Sequence, residues 1–462
     1  MENLKPNEKT VNYEVILQEN DPALNIANRP PISDAINMIL GSAHGYEVPF
    51  AAVPLREHEG LPEQNLYNCL FGRDSLIISD LLFAVKPHLR LNVISALALH
   101  QGKVFDADSE EEPGRIAHEV RSADDPVAHK LTAEGSWKFP YFGSVDATLI
   151  WMNQLHNAAK ADSSILDIVI DDIALWERFI ASTQWVLTRL ATPSGFIESS
   201  RSNPLGIANQ VWKDSGDSYM HANGVLARGD STASVETVGE TYDAIIAAVA
   251  IQEMKPSGKW PLSTRDMMKI ARNLQLSLIG IFWMGDSFAL GIERDSNGNV
   301  AKFDSMASNQ GRLLDSGVLL GDEFSGYRTA IANAMTDDSM LGESGLRTLS
   351  RAHHSYRPGG YHTGSSWPFD GVLTARGLLK NGFTKESQQV QEKIKKAIES
   401  SGGYPEFFRG DWPETDLINR FIHDVKTVDE RGVHSNTNRV AQPPQIIQGW
   451  TVAAYSWLSN RA

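Results

Sequence analysis

The chain has 462 residues and a formal net charge of −15, from 42 basic and 57 acidic residues. Its basic residues form no run or stripe, which argues against a nucleic-acid partner. The hydrophobic fraction of 42% supports a substantial core, and the single cysteine, Cys69, excludes an intrachain disulfide and a cysteine zinc cluster.

The first residues, MENLKPNEKT, lack the apolar segment of a secretory signal, and charges interrupt each apolar stretch well before bilayer length. We therefore expect a soluble, cytoplasmic protein with no membrane partner. Residues 1–30 are polar and irregular and are predicted to form an arm on the surface. Because no low-complexity linker divides the remainder, residues 31–462 are predicted to form a single domain.

Helix signals recur along the first half of the chain. A short helix is predicted at 34–41, and the next begins at Asp74 or Ser75, either of which is a good N-cap. Arg73 and Asp74 therefore lie at the mouth of that helix. Residues 106–140 are charged and loop-like, and their aromatic and glycine content is typical of a cleft loop. Further helices are predicted over Arg90–Gln101, Ser144–Lys160, Asp171–Leu190 and Ala233–Glu253.

The second half repeats this rhythm, with glycine-bearing loops between its helices. Few β-branched residues alternate with polar ones, so any sheet is expected to be minor. These features predict a mainly α domain with long functional loops. Its later helices are predicted at 264–283, 323–336, 365–380, 385–400 and 444–459.

The most informative loop is Asn209–Ser218, with the sequence NQVWKDSGDS. Here Asp214 follows Trp212 and Lys213, and Asp217 comes three residues later. An apolar ring beside a carboxyl group raises its pKa, as an acid that works near neutrality requires. The competing interpretation of this stretch is a capped loop with solvated aspartates.

A second stretch, GGYPEFFRG, places Glu406 between a proline and two phenylalanines. Cleavage of a glycosidic bond needs one carboxylic acid and a second carboxylate, which acts as a base or a nucleophile. Glu406 is a candidate for the second group. A helix-capping or salt-bridged glutamate explains this stretch equally well.

Several other stretches mix charged and aromatic residues in the way that sugar-binding sites do. Each is weak alone, since such pairs are more often structural salt bridges. The histidines show no HExxH spacing, so neither a metal nor a cofactor is expected, and the GxGxxG, phosphate-loop and GxSxG motifs are absent. The candidate sugar-binding residues are Arg73, Asp74, His118, Glu119, Tyr141, Asp146, Trp212, Lys213, Asp217, His362, Trp367 and Asp370.

Seven motifs in a fixed order resemble the glucosidase domain of glycogen-debranching enzymes, the amylo-α-1,6-glucosidase type. More remotely they resemble glucoamylases and the hydrolases that act on mannosylglycerate and glucosylglycerate. The resemblance runs from about residue 65 to the C-terminus. The motifs are FGRDSL (71–76), PGRIAHEVR (113–121), YFGSVDAT (141–148), VWKDSGDS (211–218), YHTGSSWPFD (361–370), YPEFF (404–408) and PPQIIQGWT (443–451).

This resemblance implies an (α/α)6 barrel whose long loops form the active-site cleft, and hydrolysis with inversion at the anomeric carbon. By the resemblance, Asp214 corresponds to the general acid and Glu406 to the general base, while Asp217 is the second candidate for the acid. Arg73 and Asp74 would bind the sugar in the −1 subsite, with help from the other candidates.

Two departures from the debranching pattern bear on the substrate. The chain shows the barrel without the additional domains of those enzymes, and its last motif reads PPQIIQGW rather than an alanine-rich form. We therefore expect an exo-acting α-glycosidase for a small soluble α-glucoside, such as glucosylglycerol or glucosylglycerate, or for a terminal α-glucosyl residue. The oligomeric state is left open, with a homo-oligomer among the options.

Three alternatives stay open at this stage. The first is an amylo-α-1,6-glucosidase acting on branch stubs, and the second is a sugar epimerase on a similar α-barrel, with proton transfer by His118, His354 and His362. The third is a non-catalytic sugar-binding relative.

Overall fold

The computed structural model describes residues 29–53, 67–122, 124–133, 137–227, 231–410, 421–428, 434–442 and 444–460. The predicted arm at 1–30 lies outside these residues except for Arg29 and Pro30. Pro443, the first residue of the last motif, also lies outside them.

Helices are the main secondary structure of the described chain, in agreement with the predicted mainly α class. Within the described residues the α-helices are α1 Ile32–Met38, α2 Gly72–Leu81, α3 His88–Leu99, α4 Pro126–Ala133, α5 Asp146–Ala161, α6 Leu175–Leu190, α7 Val235–Met254, α8 Thr264–Ser277, α9 Ser325–Thr336, α10 Pro368–Lys380, α11 Thr384–Ser400 and α12 Gly449–Ser459.

Five of these helices and one 3₁₀ segment, Ser308–Leu314, form a closed inner ring. Contacts run from α2 to α5, α7, the 3₁₀ segment, α10, α12 and back to α2. Each inner element also contacts one outer helix, in the pairs α2–α3, α5–α6, α7–α8, 3₁₀–α9, α10–α11 and α12–α1. This double ring of six pairs is the predicted (α/α)6 barrel.

Composition separates the two rings. In the inner helix α2 every residue except Asp80 is buried, and most of α12 is buried as well. The outer helix α11 instead buries a single stripe and exposes its lysines and glutamates. Helices that are buried on all sides belong inside, whereas a stripe about 100° wide suits a surface helix.

The strands are short and serve mainly to clamp loops. The three-stranded antiparallel sheet has the order β10–β9–β8, and the other described strands pair in twos. They are β1 Leu40–Ala43, β2 Tyr46–Pro49, β3 Ala52–Val53, β4 Leu70–Phe71, β5 Glu119–Val120, β6 Val169–Ile170, β7 Ile173–Ala174, β8 Ser231–Ser234, β9 Gly291–Arg294, β10 Val300–Phe303, β11 Leu341–Gly342, β12 Gly345–Leu346, β13 Ser365–Ser366, β14 Phe408–Arg409, β15 Phe421–Val428, β16 His434–Gln442 and β17 Ile447–Gln448.

Three elements differ from the sequence expectation. The antiparallel pair β15–β16 is longer than a minor sheet would provide, and α4 lies inside the stretch 106–140 that was expected to be a loop. The helix expected from Asp74 or Ser75 begins earlier, at Gly72, with Phe71 as its N-cap. Phe71 is held in β4 by pairing with β5, so tertiary contacts rather than a side-chain cap define the start.

The N-termini of the inner helices converge at one end of the barrel. Arg73 in the first turn of α2 pairs with Asp146, which begins α5. Trp367, the N-cap of α10, contacts Trp450 in the first turn of α12. The ladders β4–β5, β13–β14 and β3–β17 lie directly before α2, α10 and α12 and tie the loops to this end. Among the described helices, none has both the length and the apolar character needed to cross a bilayer.

Candidate active site

A buried arginine organises the carboxyl groups at this end of the barrel. One terminal nitrogen of Arg73, Nη1, lies 3.2 Å from Asp146 Oδ2, and the other, Nη2, lies 3.5 Å from Asp214 Oδ2. Arg73 Nε is 3.8 Å from Asp74 Oδ2. The planar guanidinium group can hold several oxygens at fixed angles. Arg73 thereby brings together three residues that the sequence analysis proposed separately.

The carboxyl groups around Arg73 differ in how far they are exposed to solvent. The side chain of Asp214 is 32% exposed, whereas that of Asp146 is 2% exposed. Burial raises the pKa of Asp74 to about 7, although Arg73 opposes the shift. Asp214 is therefore the member of this group that faces the open cleft.

Glu406 is held from two sides. The Tyr361 hydroxyl donates a hydrogen bond of 2.6 Å to Glu406 Oε1, and the backbone N–H of Gln445 donates one of 3.1 Å to Oε2. Burial raises the pKa of Glu406 to about 7, these two hydrogen bonds lower it, and the charge of Asp214 raises it further. The two hydrogen bonds fix the orientation of the carboxyl group.

Asp214 and Glu406 belong to one site even though they are far apart along the chain. The charge of Asp214 acts on Glu406, and both carboxylates raise the pKa values of Tyr361 and Tyr67. The structure therefore brings the two proposed catalytic groups together. Tyr67 was missed by the sequence analysis; the available signal was its position just before the FGRDSL motif.

Aromatic rings form a continuous wall beside these carboxyl groups. Trp212 packs edge-on against His362 and Trp367, with ring centroids 5.5 and 5.9 Å apart. Trp367 in turn contacts Tyr361 at 4.9 Å and Phe407 at 5.5 Å. Trp212 and Trp367 are each 2% exposed, so this wall is a packed cluster that fixes the loops around the carboxyl groups.

Asp217 lies away from the Arg73 cluster. It accepts a hydrogen bond of 2.8 Å from the Ser215 hydroxyl, and its Oδ2 lies 3.5 Å from Arg357 Nη2. The same Ser215 hydroxyl is 2.9 Å from His362 Nδ1. Asp217 therefore links the Asp214 loop to the loop that carries Arg357 and His362.

Lys213 and Asp370 lie behind the aromatic wall, and each is 1% exposed. Lys213 Nζ donates a hydrogen bond of 2.6 Å to the carbonyl oxygen of Thr348. Burial lowers the pKa of Lys213 to about 8, and the nearby charge of Asp370 opposes this shift. Through its hydrogen bond to Thr348, Lys213 anchors the loop that carries Asp214.

His118, Glu119 and Tyr141 form the other side of the site frame. The His118 ring packs edge-on between Phe71 and Tyr141, and burial lowers its pKa well below the usual value. Glu119 pairs with Arg121, and burial raises the pKa of Glu119 to about 6.

The hydroxyl of Tyr141 is already used within the protein. It accepts a hydrogen bond of 2.8 Å from the backbone N–H of Ile207, and its ring stacks on Trp137 at 4.5 Å. Tyr141 thus ties the cleft loops to each other.

Comparison with known proteins agrees with this arrangement. Residues 318–416 match the family model of the mannosylglycerate hydrolase MGH1-like glycoside hydrolase domain. No curated protein matches the chain by sequence. The family match over this segment and the (α/α)6 fold together support a glycoside hydrolase.

The solved structures that resemble this chain include three from Thermus thermophilus, each at 12% identity, covering 93% of this chain and 100% of the other. Two are of a GH63 mannosylglycerate hydrolase, one in complex with Tris and D-glycerate and one in complex with glucose, both at a TM-score of 0.58. The third is of an uncharacterized conserved protein, at a TM-score of 0.57.

Proposed function

We propose that this chain is an inverting, exo-acting α-glycosidase that hydrolyses a small soluble α-glucoside of the compatible-solute type, such as glucosylglycerol or glucosylglycerate. The observation that carries the proposal is that Asp214 and Glu406 lie near enough to influence each other's charge, with Tyr361 bonded to Glu406 and packed on Trp367 in the aromatic wall. A glycosidase needs two carboxyl groups on opposite sides of the scissile bond.

In this mechanism Asp214 is the general acid. Its carboxyl group faces the cleft and protonates the departing glycosidic oxygen, so the C–O bond breaks with the electron pair on that oxygen. Three carboxyl groups, Asp74, Asp146 and Asp214, meet the one cation Arg73, so this cluster carries more negative than positive charge when all three are ionised. In the proposed mechanism Asp214 carries the proton.

Glu406 is the general base. It accepts a proton from a water molecule, whose oxygen then attacks the anomeric carbon from the face opposite the leaving group. Tyr361 and Gln445 hold the two oxygens of Glu406, and each oxygen keeps a lone pair for the water. A base with a pKa of about 7 is ionised for half of the molecules at neutral pH.

The remaining candidates would bind the sugar. Arg73 and Asp74 provide a donor and an acceptor for ring hydroxyls, while the buried rings of Trp212 and Trp367 support the loops that carry the site. The relative that binds glucose and D-glycerate supports a monosaccharide pocket with a small aglycone. A closed pocket of this kind accepts a small glycoside or a chain end, which is the basis of exo action.

A release of terminal α-1,6-linked glucose from branch stubs would use the same two carboxyl groups and is the second candidate. The epimerase alternative requires histidines that exchange protons with substrate carbon. His118 is buried, with a pKa well below the usual value, which suits that role less well than it suits neutral hydrogen bonding.

A substrate screen tests the proposal directly. The purified protein is incubated with α-glucosides and α-mannosides of glycerol, glycerate and malto- or isomalto-oligosaccharides, and NMR follows the anomer that is released. We expect β-glucose as the first product from a glycerol or glycerate glucoside. Initial release of the α-anomer would contradict inversion, and cleavage of isomalto-oligosaccharides alone would favour the debranching alternative. Solvent deuterium at a ring carbon of uncleaved sugar would identify an epimerase.

A further inference from the structure

The barrel contains a polar cavity that is partly open to solvent and lies away from the aromatic wall. Its volume is about 160 Å³. Residues from α2, α5, α7, α10 and the 3₁₀ segment line it, so it lies along the barrel axis. Lys380, whose side chain is 53% exposed, stands at its far end and marks the side that faces solvent. We call this space the axial cavity.

The charges at the far end of the axial cavity are balanced. Asp315 is paired with Arg376 and Lys380, and Asp80 is paired with Arg376 at 2.6 Å and with Arg90 at 2.7 Å. These contacts join the cationic and anionic groups of α2, α10 and the segment after Leu314. This end of the cavity therefore has little net charge to offer a ligand.

The inner half of the cavity carries an excess of carboxyl groups. Glu236, Glu240 and Asp243 lie on one face of α7 beside Arg312, while Lys380 also acts on Asp243 and Arg73 on Glu240. Over the whole described lining, five carboxyl groups stand against three cations, Arg312, Arg376 and Lys380. Arg312 Nη2 bonds Glu240 Oε1 at 2.6 Å. Asp243 accepts a hydrogen bond of 2.9 Å from the backbone N–H of Gly317.

Hydrogen-bond acceptors also outnumber donors there. Glu236 is 2% exposed, and neither of its oxygens makes a hydrogen bond of ordinary geometry to a described residue, although Ser234 and Asn309 approach closely enough to lower its pKa. Glu240 Oε2 and Gln154 Oε1 are likewise without such a bond. The donors in the same condition are Arg312 Nη1 in the lining and, beside Glu236, Ser234 Oγ and Asn309 Nδ2. Buried acceptors of this kind require a partner.

We propose that the axial cavity binds a small primary ammonium compound, whose N–H groups donate to Glu236, Glu240 and Gln154. A compound of this class carries the positive charge that the inner half of the cavity lacks. It also carries several N–H donors for the acceptors there. A cavity of about 150 Å³ holds a molecule of benzene size, so the ligand has up to about six non-hydrogen atoms.

The cavity communicates electrostatically with the active site. Glu240 interacts with Arg312, Asp146, Glu236 and Arg73, and burial raises its pKa to about 8. Burial also raises the pKa of Asp243 to about 7. A bound ammonium group would favour the ionised forms of both. Binding should therefore strengthen as the pH rises from about 6 to about 8.

Thermal unfolding in the presence of ammonium, ethanolammonium, tetramethylammonium and sodium chlorides at equal ionic strength tests the proposal. We expect ammonium and ethanolammonium to raise Tm saturably, because a ligand of the folded state stabilises it by mass action. Tetramethylammonium has no N–H donor and should act no differently from sodium. An equal rise in Tm with all four salts would overturn the proposal.

Variants locate the site within the molecule. Glu236→Gln should weaken ethanolammonium binding, measured by calorimetry, about tenfold or more through loss of charge. Glu253→Gln, at an exposed position of the same helix, and Asp214→Asn, in the active site, should leave it unchanged. If Glu236→Gln does not fold, Asp243→Asn serves in its place. Loss of binding in Asp214→Asn alone would assign the ligand to the active site and refute the axial cavity.

Discussion

The barrel holds two groups of carboxyl side chains in contrasting surroundings. Asp214 and Glu406, the mouth pair, lie beside an aromatic wall, and Asp214 is partly exposed. Glu236, Glu240 and Asp243, the axial group, project from α7 into the axial cavity. In both places burial raises carboxyl pKa values, so a raised pKa by itself does not identify a catalytic group.

The two groups differ in their exposure to solvent and in the hydrogen-bond donors beside them. Each mouth carboxyl is oriented by a specific donor, Arg73 or Tyr361, and Asp214 is partly exposed to solvent. The axial group has Arg312 as its cationic partner within the described lining. Carboxyl groups that are held in a fixed orientation beside aromatic rings are suited to proton transfer on a sugar. The excess negative charge of the axial group is suited instead to binding a small cation.

The largest expected effect is on turnover when the mouth pair is neutralised. Asp214→Asn and Glu406→Gln each remove one proton-transfer group, so kcat should fall by about 10²- to 10⁴-fold on a cleaved α-glucoside. Asp217→Asn is the matched control and should change kcat by less than about tenfold, because Asp217 pairs with Arg357 instead. Near-wild-type turnover in either of the first two variants would reject the role of that residue. A larger loss in Asp217→Asn than in Asp214→Asn would transfer the acid role.

The next effect concerns Arg73, which joins the mouth to the barrel axis. Arg73→Lys keeps the positive charge but loses the planar guanidinium group, whose two terminal nitrogens contact Asp146 and Asp214 at the same time. We expect kcat/KM to fall about 10- to 100-fold, since hydrogen bonds to charged groups contribute about 1.5–3 kcal/mol. The measurement is steady-state kinetics, with circular dichroism to establish that the variant is folded. Unchanged kcat/KM would show that Arg73 is only a structural partner of Asp146.

A smaller and more selective effect is expected from Tyr361→Phe. Wild-type kcat/KM should fall as the pH drops below about 7, because Glu406 must be ionised to act as the base. Loss of the Tyr361 hydrogen bond raises the pKa of Glu406 further, so this acidic limb should move up by about one pH unit. Tyr67→Phe is the control, since Tyr67 contacts Tyr361, and it should move the limb less. A limb that stays in place in Tyr361→Phe would contradict the assignment of Glu406.

The sequence was informative where local patterns dominate. Helical periodicity predicted α5, α7 and α11 to within a few residues, and the ordered motifs implied the (α/α)6 barrel that the structure has. The pair β15–β16 was missed because strand pairing depends on contacts that no short window contains. The start of α2 was misplaced for a similar reason, since the β4–β5 ladder sets it.

For the site, chemistry in the sequence nominated residues but could not place them. Asp214 and Glu406 stood out because each lies close to aromatic residues in the chain. Tyr67 did not, since a single tyrosine before a motif carries no periodic or compositional signal. The axial group was also missed: Glu236, Glu240 and Asp243 look like one polar face of a helix until closure of the ring turns that face inward.

The smallest expected effect separates the axial group from the mouth pair by stability alone. Because the folded-state pKa of Glu240 is raised to about 8, its stabilising contribution is fully present below the unfolded value of about 4.5 and is lost as pH rises through 8. Glu240→Gln keeps an acceptor for Arg312 but cannot ionise. Urea unfolding at about pH 5.5 and about pH 8.5 should therefore show a smaller loss of stability in Glu240→Gln than in the wild type, with Glu253→Gln behaving as the wild type. Equal losses in all three proteins would mean that Glu240 does not titrate in this range, and that the axial cavity imposes no electrostatic cost on the fold.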